Sequence, residues 1–335
     1  MQEKILEGTS VLLASEPVKK NKPKLLPMSL FYSMAKRRAD NMLRGDIFKY
    51  YPKQAQRMQG IADGAGVGLP SILFMQMMEM LFGCTALAFS RDRTSTSETI
   101  LAKNFDYFSF LAPYNFACET KPAEGYKTLG FKMCSLPGIF DGMNECGLAV
   151  TYNLARSTDK PEFFVPTSIM LQEMLETCAT VDDAVRMITQ SKRGGHDCLI
   201  TLAEPSGNIK AIELSSHFAT VREMTNGQVI NTNNYQTAEM QGREVPLDTA
   251  PSYSNSPIRL DRASGLLKDA VLVDEKAICA VLRDHGQEGV PGKTICRHAE
   301  FGCTQRSMIF YPGGKTIKVL FGNPCQGEYQ EIGFA

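Results

Sequence analysis

The chain has 335 residues, with 36 Lys and Arg against 36 Asp and Glu, so its formal charge is zero, and 43% of it is hydrophobic. That length holds one large domain or two ordinary ones and can bury a full core. Zero charge speaks against nucleic acid as a partner and gives no attraction to acidic membrane surfaces.

No apolar run approaches the roughly 20 residues that span a bilayer. Near the start, "VLLA" is too short an apolar centre for a secretory signal, so a cytoplasmic protein is the simplest expectation. Ten cysteines in a chain of this length form no disulfide framework and read as reduced, buried side chains. "VKKNKPK" reads as a solvated loop. From Pro27 to Gly68, apolar residues at helical spacing mix with charges, and Pro52 marks a break between helices. In "GIADGAGVGLP" the glycines follow a helical segment and not a strand, so a turn is expected there and not a dinucleotide fingerprint. "SILFMQMMEMLFG", residues 71–83, predicts a buried helix in which Met75, Met77, Met78 and Met80 are packing.

At Cys84 the pattern changes. "CTALAF", the polar loop "SRDRTSTSET" and "ILAKNFDYFSF" predict a β-hairpin. "GMNECGLAVTYNLA" places a turn before another strand. "PTSIMLQEMLETCATVDDAVRMITQ" predicts two helices, with Thr180 capping the second ahead of Asp182 and Asp183. "CLITLAEPSGNIKAIEL" predicts a hairpin, and "FATVREMTNGQVINTNNY" predicts another around an Asn-Gly turn. "IRLDRASGLL" and "DEKAICAVLRD" read as helices. "QRSMIFYPGGKTIKVLFGNP" closes the chain as a hairpin around Gly313 and Gly314. Such clustering predicts an α+β fold, antiparallel sheets with helices on their outer faces.

Cys84 stands where helix-like sequence gives way to strand. Freed as an N-terminal residue, it would combine a thiol nucleophile with its own α-amine as base, whose pKa of about 7.7–8 leaves a useful neutral fraction near pH 7. None of the four histidines, His196, His217, His285 and His298, would be needed. Exposing the amine requires scission after Gly83, a residue without a Cβ and tolerant of strained backbone. The Gly-Cys-Thr triplet alone carries little weight. "CRHAEFGC" offers Cys296, His298 and Cys303 as metal ligands, but no second paired motif completes a zinc spacing, so neither metal nor organic cofactor is expected.

The remaining motifs occur in an order that resembles a cysteine-type N-terminal-nucleophile (Ntn) hydrolase. The chain is similar, from about residue 50 to its end, to the acyl-coenzyme A:6-aminopenicillanic-acid acyltransferase family (peptidase family C45). It is more distantly similar to choloylglycine (bile salt) hydrolases and acid-ceramidase-like amidases. The segments are "YYPKQAQRMQGIADGAGVGLPSILFMQMME", "GCTALAF…ILAKNFDYF", "FDGMNECGLAVTYNLA", "VINTNNY", "SPIRLDRA" and "KVLFGNPCQGEY". The resemblance implies a four-layer αββα sandwich with two antiparallel sheets, residues 1–83 being a helical prosegment and 84–335 the catalytic core.

It also implies roles. Cys84 would be the nucleophile and, with Gly83, the autocleavage site. Asp106 would orient the α-amine, Asn153 and Asn233 would form the oxyanion hole, and Arg259 would lower the thiol pKa. Lys103, Asn104 and Thr85 would contact substrate or thiolate. Lys103 stands where many relatives have arginine, and Asn234 where the family often has histidine. Strand alternation puts Asn104 and Asp106 on one face and Lys103 on the other, so both charges reach Cys84 only near a strand end or bulge. Taken singly, Asp106, Asn153, Asn233 and Arg259 read more simply as turn, capping or surface residues; their joint order is what points to chemistry. The expected reaction is cleavage of a small, non-peptide N-acyl amide through a thioester. Transfer of an acyl group from an amide or acyl thioester to an amine is the alternative, and an unprocessed binding protein is the second. Assembly into a homo-oligomer stays open.

Overall fold

The computed structural model of the protein describes residues 6–7, 47–70, 72, 83–133, 137–160, 165–191, 197–246, 255–286, 294–298 and 302–335. Strand β1 (Leu6–Glu7) is followed by helix α1 (Pro52–Ala65). Pro52 sits in the first turn of α1, where its missing N–H has no helical partner to lose, and Gly66 closes the helix at a left-handed φ of 66°. The break at Pro52 and the glycine turn are thus as expected. The basic run, the helix over 71–83 and its methionines lie outside the described residues, apart from Ile72 and Gly83.

β2 (Thr85–Phe89) and β3 (Ile100–Phe108) form the expected hairpin, with Thr85 opposite Asn104 and Ala86 opposite Lys103. β4 (Asn115–Lys121) and β5 (Thr128–Met133) carry no signature that had marked them as strands. β6 (Asp141–Asn144) and β7 (Ala149–Leu154) flank a turn in which Gly147 has φ 86°. Helices α2 (Thr167–Thr177) and α3 (Val181–Gln190) follow, and the Thr180 hydroxyl accepts from the Asp183 N–H at 3.1 Å, the expected cap. The chain continues through β8 (Cys198–Ala203), β9 (Ile209–Leu214), β10 (Ala219–Glu223) and β11 (Gln228–Asn231). It then forms α4 (Ala238–Gln241), α5 (Ser256–Leu267) and α6 (Glu275–Leu282). β12 (Gly302–Tyr311), β13 (Thr316–Phe321) and β14 (Gln330–Gly333) complete it.

One sheet has the order β1-β4-β5-β6-β7-β8-β9-β10, the other β11-β2-β3-β12-β13-β14. Among the described pairs of strands only β1, against β4, is parallel. Alternation along β2 and β3 sends side chains to two dry layers. Ala88 and Leu101 join the core between the sheets, which also takes in Val150, Ile200 and the α2 face around Leu171. Leu87, Phe89, Ile100 and Ala102 pack outward against Ala263, Leu267, Ile278 and Leu282 of α5 and α6. With helices on both outer faces, this is the expected α+β, αββα arrangement of two stacked antiparallel sheets. Helix α1 docks on α2 through a buried Arg57–Glu176 ion pair at 2.5 Å, and the Gln54 amide donates to Glu173 and Glu176 at 2.8 and 3.0 Å.

The Asn-Gly hairpin is where expectation and structure part. Asn226 and Gly227 adopt the positive φ values of the expected turn, 52° and 69°. Yet the strands on either side join different sheets, β10 pairing with β9 and β11 with β2, with a single bridge between Thr225 and Gln228. The Ser90 N–H donates to the Gly227 carbonyl at 2.8 Å, fastening the turn to the end of β2. Antiparallel pairing of β11 with β2, Asn231 opposite Ala86, then delivers the residues after β11 to the start of β2, where Cys84 lies.

Candidate active site

Cys84 precedes the first residue of β2 and is 4% exposed, so its thiol is covered in the intact chain. Its backbone is held from both sides. The Cys84 N–H donates to Asn233 Oδ1 at 2.7 Å, and Arg259 Nη1 donates to the Cys84 carbonyl at 2.6 Å. Arg259 Nη2 reaches the same Asn233 oxygen at 2.7 Å, Nη1 the Thr85 hydroxyl at 3.0 Å, and Nε the Asn255 Oδ1 at 3.1 Å. Two donors converging on one Asn233 atom identify it as the oxygen. The Asn233 amide donates to the Leu154 carbonyl at 2.7 Å, and its own N–H donates to Ser256 Oγ at 2.6 Å.

Gly83 lies in this grip. A Cβ at Gly83 would stand 2.7 Å from Arg259 Nη2, 3.0 Å from Asn233 Oδ1 and 3.1 Å from Arg297 Nη2. A side chain here would have to displace the tips of buried, hydrogen-bonded groups, so glycine suits the crowding at this position.

The sulfur belongs to the face between the sheets. Burial pushes the Cys84 thiol up, while Lys103 and a hydrogen bond from the Asp106 backbone N–H draw it down, and the Asp106 and Asp141 carboxylates raise it further. The cation acting most on the thiol is therefore Lys103, where Arg259 was expected, because Arg259 is spent on backbone and amide oxygens. Burial, then repulsion from Arg297, lowers the Arg259 guanidinium to about 10, still charged near neutrality. Lys103 is fully buried, donating to Asp141 Oδ1 at 2.6 Å and to the Tyr152 carbonyl. Asp141 also accepts from the Tyr152 N–H at 3.2 Å and from Arg306 Nη2 at 2.9 Å. The Arg306 guanidinium stacks 3.7 Å over the Phe105 ring.

Asp106 faces the other way, as alternation predicts. Its Oδ1 accepts from the Thr304 hydroxyl at 2.7 Å, and its Oδ2, buried without a hydrogen bond, has Arg297 Nε at 3.6 Å. Burial raises the Asp106 carboxyl; Arg297, Arg259, Thr304 and Lys103 oppose it in that order. Opposite Asp106, β12 bulges between Thr304 and Arg306. The strand end and the bulge through which the two faces were to communicate are thus both present.

Asn104 departs from its expected contact with thiolate or substrate. Its amide donates to the Leu282 and Ile295 carbonyls at 2.7 and 3.1 Å, tying β3 to the outer helical layer. Thr85 serves as an acceptor for Arg259. Asn153 donates to the Asn231 carbonyl at 3.4 Å, and its Oδ1 is buried without a partner. Asn234 accepts from Ser256 Oγ at 2.7 Å and Thr232 Oγ1 at 3.0 Å, holding the Asn233 loop on the start of α5. Asn255, Arg297, Thr304, Asp141 and Arg306 were not singled out from sequence. Arg297 stood inside "CRHAEFGC", a stretch weighed for its cysteines and histidine.

Solved structures resemble this fold. A Caenorhabditis elegans N-acylethanolamine-hydrolyzing acid amidase ortholog matches at 20% identity and TM-score 0.50, over 69% of this chain and 93% of its own. A mutant of the conjugated bile acid hydrolase from Clostridium perfringens matches at 13% identity and TM-score 0.49, covering 75% and 97%. Penicillin V acylase from Agrobacterium tumefaciens matches at 16% identity and TM-score 0.46, covering 71% and 83%. No curated protein matches the sequence. The family model of acyl-coenzyme A:6-aminopenicillanic acid acyl-transferase matches residues 93–326, well over half of the chain, and the protein belongs to that family.

Proposed function

We propose that the protein is an acyl-transfer enzyme that cuts its own chain between Gly83 and Cys84 and then cleaves a small N-acyl amide. One observation carries this reading: the grip on Cys84, whose N–H and carbonyl are engaged by Asn233 and Arg259, beside a Gly83 crowded by Arg259, Asn233 and Arg297.

In scission the Cys84 sulfur attacks the Gly83 carbonyl carbon. The thiol proton passes to the peptide nitrogen as the C–N bond breaks, leaving Gly83 as a thioester on Cys84. Water then releases the Gly83 carboxylate, the free thiol and the α-amine. Asp106, with its unpartnered Oδ2, holds that amine as an ion-paired hydrogen bond. In turnover the amine takes the thiol proton during attack on the substrate amide and delivers it to the leaving nitrogen. Asn153 and Asn233 donate to the oxyanion through Nδ2, Asn233 with the hydrogen left over from its bond to the Leu154 carbonyl, since its Oδ1 is turned to the Cys84 nitrogen. Residues 1–83 remain attached through the Arg57–Glu176 contact, and 84–335 are the catalytic unit.

The family's name joins an acyl thioester with an amine acceptor, and the C. elegans relative is named for hydrolysing an N-acyl amine. A small N-acyl amide or acyl thioester is therefore the substrate class. Water resolving the thioester gives hydrolysis; an amine gives transfer, the reading that the family name favours as second. Intact-mass analysis tests scission: Met1–Gly83 and Cys84–Ala335 fragments are expected, replaced by the single 37.0 kDa chain in Cys84→Ala. Turnover of N-acyl amides by a chain that never splits would sink the scission. Failure of acylating thiol probes to label Cys84 in the cut protein would sink the enzyme and leave a binding protein. Product ratios with and without a competing amine separate hydrolysis from transfer.

A further inference from the structure

Beyond the catalytic residues, on the other side of Arg297, four soft donor atoms converge. We propose that His285, Cys296, His298 and Cys325 form a structural zinc site. His298 Nε2 lies 3.1 Å from His285 Nε2, 3.4 Å from the Cys296 sulfur and 3.1 Å from the Cys325 sulfur. The two sulfurs are 3.6 Å apart, and all four donors lie within 4.8 Å of one another. Zinc bonds of about 2.3 Å to sulfur and 2.0–2.1 Å to nitrogen, set tetrahedrally, separate ligand atoms by about 3.3–3.8 Å. Four of the six spacings, at 3.1–3.6 Å, come close to those values, and the other two stay within 4.8 Å.

Hydrogen bonding does not account for the cluster. Two facing imidazole nitrogens can share one proton, and thiols are weak donors. Two thiolates and two imidazoles match zinc by softness and geometry, whereas calcium and magnesium call for oxygen ligands. The outer shell is in place as well. Asn323 Nδ2 donates to the Arg297 carbonyl at 2.6 Å and lies 3.9 Å from the Cys296 sulfur. Arg283 Nε donates to the Pro324 carbonyl at 2.9 Å, joining the end of α6 to the turn that carries Cys325.

The ligands come from three segments: the chain after α6, residues 294–298, and the turn at 324–326. Sequence offered Cys296, His298 and Cys303 and found no completing pair; the completing ligands are the isolated His285 and Cys325, and Cys303 stays outside. The site also has a position in the molecule's chemistry. Arg297 stands between two ligands and extends to Asp106 and toward Gly83, so the ion would fix the backbone on both sides of a positioning residue.

The test uses the full chain, kept reduced, in the Cys84→Ala background so that scission plays no part. Elemental analysis of protein purified with zinc is expected to give one zinc per chain. Cobalt refilling should produce the intense visible bands and thiolate charge-transfer band of tetrahedral cobalt held by two thiolates and two imidazoles. Cys325→Ser and His285→Ala should each weaken zinc binding about 100-fold or more, at or beyond the range seen when only outer-shell partners are lost. A chelator should lower the melting temperature of the parent chain and leave both variants unmoved. Absence of zinc uptake overturns the proposal, as does cobalt absorption unchanged by either variant. Preferential copper(I) binding in competition overturns the choice of metal. Loss of two hydrogens in intact mass with no metal bound identifies a Cys296–Cys325 disulfide in its place.

Discussion

Two buried charge clusters flank Cys84, one on each face of β3, and each places one carboxylate between two cations. Toward the first sheet, both oxygens of Asp141 are filled, by Lys103 and the Tyr152 N–H on one side and Arg306 on the other. Toward the helices, Asp106 binds Thr304 through one oxygen, while the other is left with only the 3.6 Å approach of Arg297. Charge count is the same; completion is not. A filled buried network locks the sheets together and biases the thiol through Lys103, whereas an unfilled acceptor costs stability unless another state of the molecule fills it.

Mutation separates the two. Asp141→Asn strands Lys103 and Arg306 in the core without their shared counter-charge, and breaking such a buried pair costs about 3–5 kcal/mol from a typical total of about 5–15 kcal/mol. Urea unfolding should show a large fall in midpoint, or no folded protein. Asp106→Asn should cost less than about 2 kcal/mol and instead lower kcat/KM about 100-fold or more, read in the same urea titration and in steady-state assays. Equal destabilisation by both substitutions would erase the distinction.

A pH profile sharpens it further. If Asp106 holds the freed ammonium as proposed, its ionised carboxylate is the working form, and burial raises its pKa, so activity should be lost as pH falls through a value above the roughly 3.9 of a free aspartate. Arg297 is the strongest group opposing that shift, ahead of Arg259, Thr304 and Lys103. In Arg297→Ala the acid limb of log(kcat/KM) should therefore move to higher pH. A limb that stays in place would mean that Arg297 does not govern Asp106 in the working enzyme. The smallest effect is expected from Lys103→Arg, which keeps the charge but forces a larger group into a fully enclosed space, at about 1–3 kcal/mol. Thermal melting reads it directly.

Local signals recovered most of the elements. Strand-like runs bounded by polar or turn residues marked β2, β3, β8 and β9, Thr180 marked the start of α3, and Asn226-Gly227 marked a turn that exists. Which sheet receives the strand after that turn is decided by long-range burial, and turn residues carry no record of it. The motif order likewise brought Cys84, Asn233 and Arg259 to attention. It missed Arg297, Asn255 and Asp141 because each matters through a partner distant in the chain, and a lone arginine or asparagine has no spacing to read. Asn104 shares the face of Asp106, as alternation predicts, but its amide is taken up by the Leu282 and Ile295 carbonyls, partners that no local spacing records.

The crossover at Asn226-Gly227 bears on when the proposed scission could occur. Asn233 reaches the Cys84 N–H only after β11 has left the first sheet's neighbourhood and paired with β2 in the second. Half-assembled chains lack that contact, and the severing reaction would have nothing to orient it. The cut would then act as a checkpoint on completed assembly, keeping a reactive thiol dormant in any copy whose two sheets have not yet met.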